Sequence, residues 1–144
     1  MNRKGVTLIE LIIVMVIIAI GAVLTAPNIG GWMTNYRLRS AARDVASTLR
    51  LAQIKAVSTN TTYQVVFDTV NNSYIIQYLN TGGGWVADGT TQVLPTGVTF
   101  NTTFGSVASF SPNSTVANTG VINFSNTKGA IKQIALQSGR IKIE

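Results

Sequence analysis

One stretch near the amino terminus restricts the possible fold more than any other feature of the sequence. Residues 6–26 read VTLIELIIVMVIIAIGAVLTA and contain a single charge, Glu10. Because a helix needs about 20 apolar residues to cross a bilayer, this stretch predicts a membrane-spanning helix. Arg3 and Lys4 precede it, and no charge follows before Arg37. Positive residues favour the cytoplasmic side, so the amino terminus is expected in the cytoplasm and the rest of the chain outside the membrane.

An ordinary secretory signal is the alternative interpretation of this stretch. Such a signal has a shorter apolar core that ends in a cleavage site of small residues. The nearest such site lies at residues 22–26 and is followed directly by Pro27. This arrangement favours the membrane helix.

Glu10 is the informative residue of the apolar stretch. A carboxylate inside a membrane helix costs about 3 kcal/mol on insertion scales and usually has a task. No cation lies within helical reach after Lys4, and a free amine produced by cutting the chain ahead of Val6 would supply one. The alternative is that Glu10 simply lies near the membrane interface.

Residues 3–10 read RKGVTLIE, which resembles the class III leader of type IV prepilins and pseudopilins. The resemblance implies cleavage between Gly5 and Val6 by a prepilin peptidase and methylation of the new amino terminus on Val6. It also implies that Glu10 helps each subunit dock on its neighbour. Val6 stands where the family usually has Phe. Pro27 stands where these proteins carry a helix-bending proline.

Pro27, Gly30 and Gly31 weaken the helix. Helical periodicity returns after them. An apolar stripe with helical spacing is expected to pack on the following domain. Its members are Leu38, Ala42, Val45, Leu49, Ala52 and Ala56. The charged residues lying mainly off this stripe are Arg37, Arg39, Arg43, Asp44, Arg50 and Lys55. They form either a solvated helix face or a contact with an acidic neighbour.

The remainder of the chain has the pattern of short strands separated by turns. The predicted strands are residues 62–67, 74–79, 98–104, 121–124, 130–136 and 140–143. The fold class is therefore α+β, with a long N-terminal helix packed on a small, mostly antiparallel β-sheet head. The expected divisions are a leader (1–5), a transmembrane and head-packing helix (6–58) and the head (59–144). Six aromatic residues are interpreted as core rather than as a ligand platform: Phe67, Tyr74, Tyr78, Phe100, Phe110 and Phe124.

The C-terminal third carries a second resemblance, through FSPN at 110–113, GVI at 120–122, Gly129 and SGRIK at 138–142. These residues resemble the domain shared by GspH and FimT proteins. GspH proteins are minor pseudopilins of type II secretion, and FimT proteins are minor type IV pilins, some of which bind DNA during natural transformation. The implied partners are other pilins or pseudopilins, the prepilin peptidase, the inner membrane and, for the FimT alternative, DNA.

Arg140 and Lys142 are the candidate DNA-binding residues, because the closing Gly-Arg-x-basic pattern resembles the FimT tail associated with DNA contact. Lys142 replaces the usual arginine. Two cations that alternate on one strand can meet phosphates, and Lys128 and Lys132 are candidates to extend the strip. Glu144 subtracts charge beside them. The alternative is an edge strand with solubilising charges.

Composition argues against chemistry in the head. The sequence contains neither Cys nor His, which removes disulfides and histidine-based catalysis. Asp68 and Asp88 are the only acids between Asp44 and Glu144, and hard cations usually need several oxygen ligands. We therefore expect no metal, no cofactor and no enzyme, because no pair of nucleophile and base is recognisable. A structural subunit of a secretion or pilus filament is the leading hypothesis.

Overall fold

A computed structural model describes residues 5–25, 29–137 and 140–144. The chain divides into two compact units, Met1–Met33 and Thr34–Glu144. Pro27, the predicted site of the helix bend, lies outside the described residues.

The first unit contains helix α1 (Leu8–Thr25). Thr7 precedes the helix and caps it, because the Glu10 amide donates to the Thr7 carbonyl oxygen at 3.1 Å and lies 3.4 Å from Thr7 Oγ1. The large apolar side chains of α1 are 47% to 78% exposed within the chain.

No helix within residues 5–25, 29–137 and 140–144 combines the length and hydropathy that a bilayer crossing requires.

Helix α2 (Ile29–Ser58) supplies one wall of the core in the second unit. The predicted stripe from Leu38 to Ala56 is confirmed, because each of its six members is at most 3% exposed. Ala41 and Ala46 are buried with them. The helix ends in a left-handed residue, Asn60 (φ 51°), and the Thr61 amide donates to the Ala56 carbonyl oxygen at 3.2 Å. This pattern is a Schellman-type stop, in which Asn is tolerated.

Nine strands form two antiparallel sheets within the part of the chain that the structure describes. The strands of sheet A are β1 (Tyr63–Asp68), β2 (Ser73–Leu79), β3 (Trp85–Ala87), β4 (Gln92–Val93) and β6 (Val107–Phe110). Those of sheet B are β5 (Val98–Thr102), β7 (Gly120–Asn126), β8 (Ile131–Gln137) and β9 (Arg140–Ile143). Sheet A has the order β3-β2-β1-β6, and β4 also pairs with β2; sheet B has the order β5-β7-β8-β9.

The predicted fold class is confirmed, with corrections in the strands. All six predicted strands are present, although β5 ends at Thr102 rather than at residue 104. The prediction missed β3, β4 and β6. Strands β3 and β4 are only three and two residues long and are exposed, so neither carries an alternation of buried and exposed residues.

Aromatic side chains join the two sheets in the core. Phe67 of sheet A makes an edge-to-face contact with Phe100 of sheet B, with ring centroids 5.6 Å apart. Phe100 in turn lies 6.2 Å from Phe124. Five of the six predicted core aromatics are at most 5% exposed, and Tyr78 is half-buried against the same cluster. The prediction that these aromatics are core is confirmed.

Candidate functional site

The residues predicted for processing and assembly lie at the start of the first unit. Gly5 and Val6 precede α1 outside regular structure, and Val6 is exposed. Glu10 lies in the first helical turn and is exposed within the chain. Here a carboxylate interacts favourably with the positive end of the helix dipole. The roles of all three residues stay predictions.

The predicted DNA-binding residues lie on one face of sheet B. Buried Ile134, Leu136 and Ile141 define the inner face of this sheet. Arg140 pairs with Gln137, and Lys142 with Ala135. Because side chains alternate along a strand, both cations point to the opposite, outer face. The outer face also carries Thr, Asn, Ser and Gln side chains of β5, β7 and β8, together with Val121, Ile131 and Ala135.

Lys142 is not a free cation. Its Nζ lies 2.8 Å from Glu144 Oε1, and both side chains are exposed. The hydrogen bond from Lys142, followed by its positive charge, lowers the pKa of the Glu144 carboxyl below its ordinary value. Arg140 forms no ion pair with any described residue. Of the two predicted cations, only Arg140 therefore keeps its full charge for an external anion.

Lys132 does not belong to the same strip. It shares a face of β8 with buried Ile134 and Leu136, so its side chain lies on the inner face of sheet B. Lys128 lies in the exposed turn between β7 and β8. The proposed extension of the Arg140 and Lys142 strip by Lys132 is therefore wrong, because the strand register directs these side chains to opposite faces of the sheet.

Lys132 instead meets two arginines of α2. A cleft of about 230 Å³ is lined by Arg39, Ala42, Arg43, Lys132 and Ile143, and we call it the basic cleft. Arg39 and Arg43 are one helical turn apart and share a face of α2. Both are exposed, whereas Lys132 is half-buried. Sequence reasoning identified these arginines as a charged helix face but missed the convergence with a distant strand.

Asn126 fixes the turn that leads to Lys132. Its Oδ1 accepts hydrogen bonds from the amides of Lys128 (3.0 Å) and Ala130 (2.9 Å), and its Nδ2 donates to Asn35 Oδ1 at 3.1 Å. Gly129 closes the turn at φ 78°, a conformation that favours glycine. Asn126 is 7% exposed. One buried amide therefore ties the β7–β8 turn to α2 beside the basic cleft.

A larger pocket of about 460 Å³ lies on the sheet A side of α2. Its lining includes Asp44, Tyr74 and Asp88. Asp88 Oδ2 already pairs with Lys55 Nζ at 2.7 Å. Burial raises the pKa of the Tyr74 hydroxyl above its ordinary value, and the charge of Asp44 adds to this increase, whereas a hydrogen bond with Thr48 opposes it. Within the described residues, no group of three or more acidic side chains is placed to hold a metal ion.

Comparison with known proteins adds two family matches. Residues 1–26 match the prokaryotic N-terminal methylation motif, and residues 41–143 match the family described as type II transport protein GspH. A curated relative, type II secretion system protein H of Xanthomonas campestris pv. campestris, is 34% identical over 65 residues. That match covers 45% of this chain and 38% of the relative, so the chain aligns with well under half of the relative's length.

Solved structures show the same fold. The minor pseudopilin EpsH from the type 2 secretion system of Vibrio cholerae superposes with a TM-score of 0.67 at 12% identity, over 75% of this chain and 96% of that one. The type IV minor pilin FimU of Pseudomonas aeruginosa gives a TM-score of 0.64 at 18% identity, over 78% and 92% of the two chains. The fold is therefore pilin-like.

Proposed function

The chain belongs to the GspH family of type II transport proteins, and from this we propose that it is a structural minor subunit, a pseudopilin or minor pilin, of a type II secretion or type IV pilus filament. The N-terminal helix enters the filament, and the head is displayed to neighbouring subunits. No chemical reaction is required of it. The relatives come from both systems, because protein H and EpsH are type II secretion proteins and FimU is a type IV minor pilin.

The exposed apolar surface of α1 is the observation that carries this proposal. Every large apolar side chain of the described helix is at least 47% exposed. A continuous apolar surface of this kind is costly in water and marks a membrane or protein contact. In the proposed function, residues 6–26 anchor the chain in the inner membrane with the head in the periplasm. In the assembled filament, helices of neighbouring subunits cover the same surface.

Glu10 and the amino terminus of Val6 act together in this proposal. Cleavage after Gly5 leaves an amine on Val6, and this amine supplies the positive partner that the Glu10 carboxylate lacks in an apolar environment. If the pair forms between subunits, it aligns each incoming helix with its neighbour. The methylation motif matched over residues 1–26 supports this arrangement.

Intact mass spectrometry of the membrane-extracted chain tests processing. We expect a mature protein that begins with N-methylated Val6 when the prepilin peptidase is present, and the uncut chain when the peptidase gene is deleted. Gly5→Leu should block cleavage and filament entry. A Cβ at position 5 meets no atom within 4 Å, so a steric defect in the fold is not expected. A mature chain that starts elsewhere, or efficient filament entry by uncut Gly5→Leu, would refute the proposal.

DNA contact by Arg140 and Lys142 stays a prediction. The ion pair between Lys142 and Glu144 weakens it, because a phosphate has to compete with a carboxylate already in place.

A further inference from the structure

The basic cleft brings together charges from two separate parts of the chain. Arg39 and Arg43 come from α2, and Lys132 is the second residue of β8. Ile143 is 37% exposed and provides apolar surface between them, whereas Ala42 is buried. A neighbouring groove shares Arg39 and Lys132 with the cleft, and the exposed side chain of Ile131 extends the apolar surface there. The combined surface therefore offers cations beside short apolar walls.

None of the three cations of the basic cleft forms an ion pair with a described residue. The two ion pairs that the described chain contains use Lys55 and Lys142 instead. Three like charges at one cleft repel one another unless an anion lies between them. Asp44 lines an adjoining groove with Arg39 and Arg43 but does not line the basic cleft, so an external anion in the cleft would relieve the repulsion among its three cations.

The charge of the head argues against a second copy of this chain as the source of that anion. From residue 34 onwards, nine Lys or Arg face only four acids. Asp88 and Glu144 are already in ion pairs. The carboxylate of Asp68 accepts hydrogen bonds from the Val70 and Asn71 amides and from the Asn71 side chain. Asp44, the fourth acid, accepts a hydrogen bond from Ser40 Oγ and lines a groove with Arg39 and Arg43 of its own chain. The supply of free carboxylates on an identical head is therefore poor, and net repulsion between copies favours a partner of opposite charge.

The shape of the cleft favours carboxylate side chains over a continuous polyanion. An extended nucleic acid needs a row of cations along its backbone. The nearest candidates for such a row, Arg140 and Lys142, lie on the opposite face of sheet B. A Glu side chain, by contrast, can place its apolar stem against the exposed part of Ile143 and its carboxylate against a guanidinium group.

We propose that the basic cleft binds an acidic segment of a different subunit, with two carboxylates that pair with Arg39 and Arg43 while Lys132 closes the site from the sheet. This proposal rests on the proposed function, because a filament provides the neighbouring subunit. It requires that this neighbour presents carboxylate side chains to the basic cleft.

Fluorescence anisotropy with the full chain, residues 1–144, in detergent micelles tests the cleft directly. The probe is a labelled Ala-rich peptide with two Glu residues four positions apart, and the control peptide carries Gln at both positions. The site variant is Arg39→Ala with Arg43→Ala. The matched variant is Arg50→Ala with Lys128→Ala, which removes the same charge from exposed positions that do not line the cleft. We expect the site variant to weaken binding about tenfold and the matched variant to weaken it less than about threefold.

Three results would overturn the proposal. Equal losses in the two double variants would show that binding follows net charge rather than the cleft. Equal affinity for the Glu and Gln peptides would remove the role of the carboxylates. Tighter binding of a single-stranded oligonucleotide or an anionic lipid nanodisc, lost in the site variant alone, would assign the cleft to a phosphate ligand instead.

Failure of the acidic-partner proposal can be distinguished from failure of the proposed function. Peptide binding in micelles requires no filament, so it can succeed when the chain fails to be processed or assembled. A site variant that is processed normally and enters filaments as well as the parent, while the parent shows no preference for the Glu peptide, would contradict only the acidic-partner proposal.

Discussion

Replacing Asn126 by Ala should destabilise the head more than any other single amide substitution on β7. The change removes two acceptor contacts to the Lys128 and Ala130 amides and one donor contact to Asn35. A typical intramolecular hydrogen bond contributes about 0.5 to 1.5 kcal/mol net, so the three together give roughly 2 to 4 kcal/mol. The loss has two consequences: the β7–β8 turn loosens, and the connection to α2 beside the basic cleft is broken.

Asn123→Ala is the matched control, because it makes the same chemical change on the same strand. The Asn123 Oδ1 atom is buried and accepts no hydrogen bond within the described structure. Its removal therefore relieves an unsatisfied polar atom, and the expected change in the free energy of unfolding is within about 0.5 kcal/mol of zero or slightly stabilising.

Thermal unfolding of the full chain in micelles, followed by near-UV circular dichroism, measures both variants. For a unit of this size, a loss of about 3 kcal/mol corresponds to roughly 10 to 15 °C in Tm. Hydrogen exchange should show faster exchange of the β7–β8 turn amides in the Asn126 variant. Adding Asn35→Ala should cost little more, since the contact is already gone, and a double-mutant cycle isolates about 1 kcal/mol for that bond. Equal Tm values for Asn126→Ala and Asn123→Ala would show that the hydrogen bonds of the Asn126 side chain do not stabilise the head.

Three further predictions concern assembly, alkaline stability and DNA. Glu10→Ala should insert into membranes normally, because it makes the helix more apolar, but should be depleted from sheared filaments; parental amounts in filaments would show that Glu10 is incidental. Burial raises the pKa of the Tyr74 hydroxyl above its ordinary value of 10.0. The contribution of the protonated hydroxyl to the free energy of unfolding is therefore fully present below pH 10 and is lost as pH rises through the folded-state pKa. Unfolding measured from pH 9 to 12 should therefore depend less on pH in Tyr74→Phe, and identical profiles would contradict that assignment. If DNA is retained at low salt, Arg140→Ala should reduce the slope of log affinity against log salt concentration by about 0.9. Lys142→Ala should reduce this slope by a smaller amount, because Glu144 already pairs with Lys142. Absence of DNA retention in a gel-shift titration would eliminate the DNA alternative.

Local sequence patterns were enough to predict the fold class of the protein. The apolar run at 6–26, the RKGVTLIE stretch and the helical stripe from Leu38 to Ala56 are all short-range signals. Each depends on spacing along one element, and a helix preserves that spacing in space. For the same reason, the burial of the stripe could be predicted before the sheets were known, and Phe67, Phe100 and Phe124 could be assigned to the core from their large apolar area. The short exposed strands β3 and β4 could not, because they bury no alternating face.

The relation between distant charges was decided only by the tertiary structure. Lys132, Arg140 and Lys142 are close in sequence and suggested one basic strip, yet the register of β8 and β9 sends Lys132 to the inner face and the other two to the outer face. The same register places Lys132 beside Arg39 and Arg43, about ninety positions earlier in the chain. A shift of one residue in strand pairing would reverse these faces. Sequence spacing therefore determined that this chain has an apolar helix and a β-rich head, whereas strand register and helix packing determined which of its cations can bind the same partner.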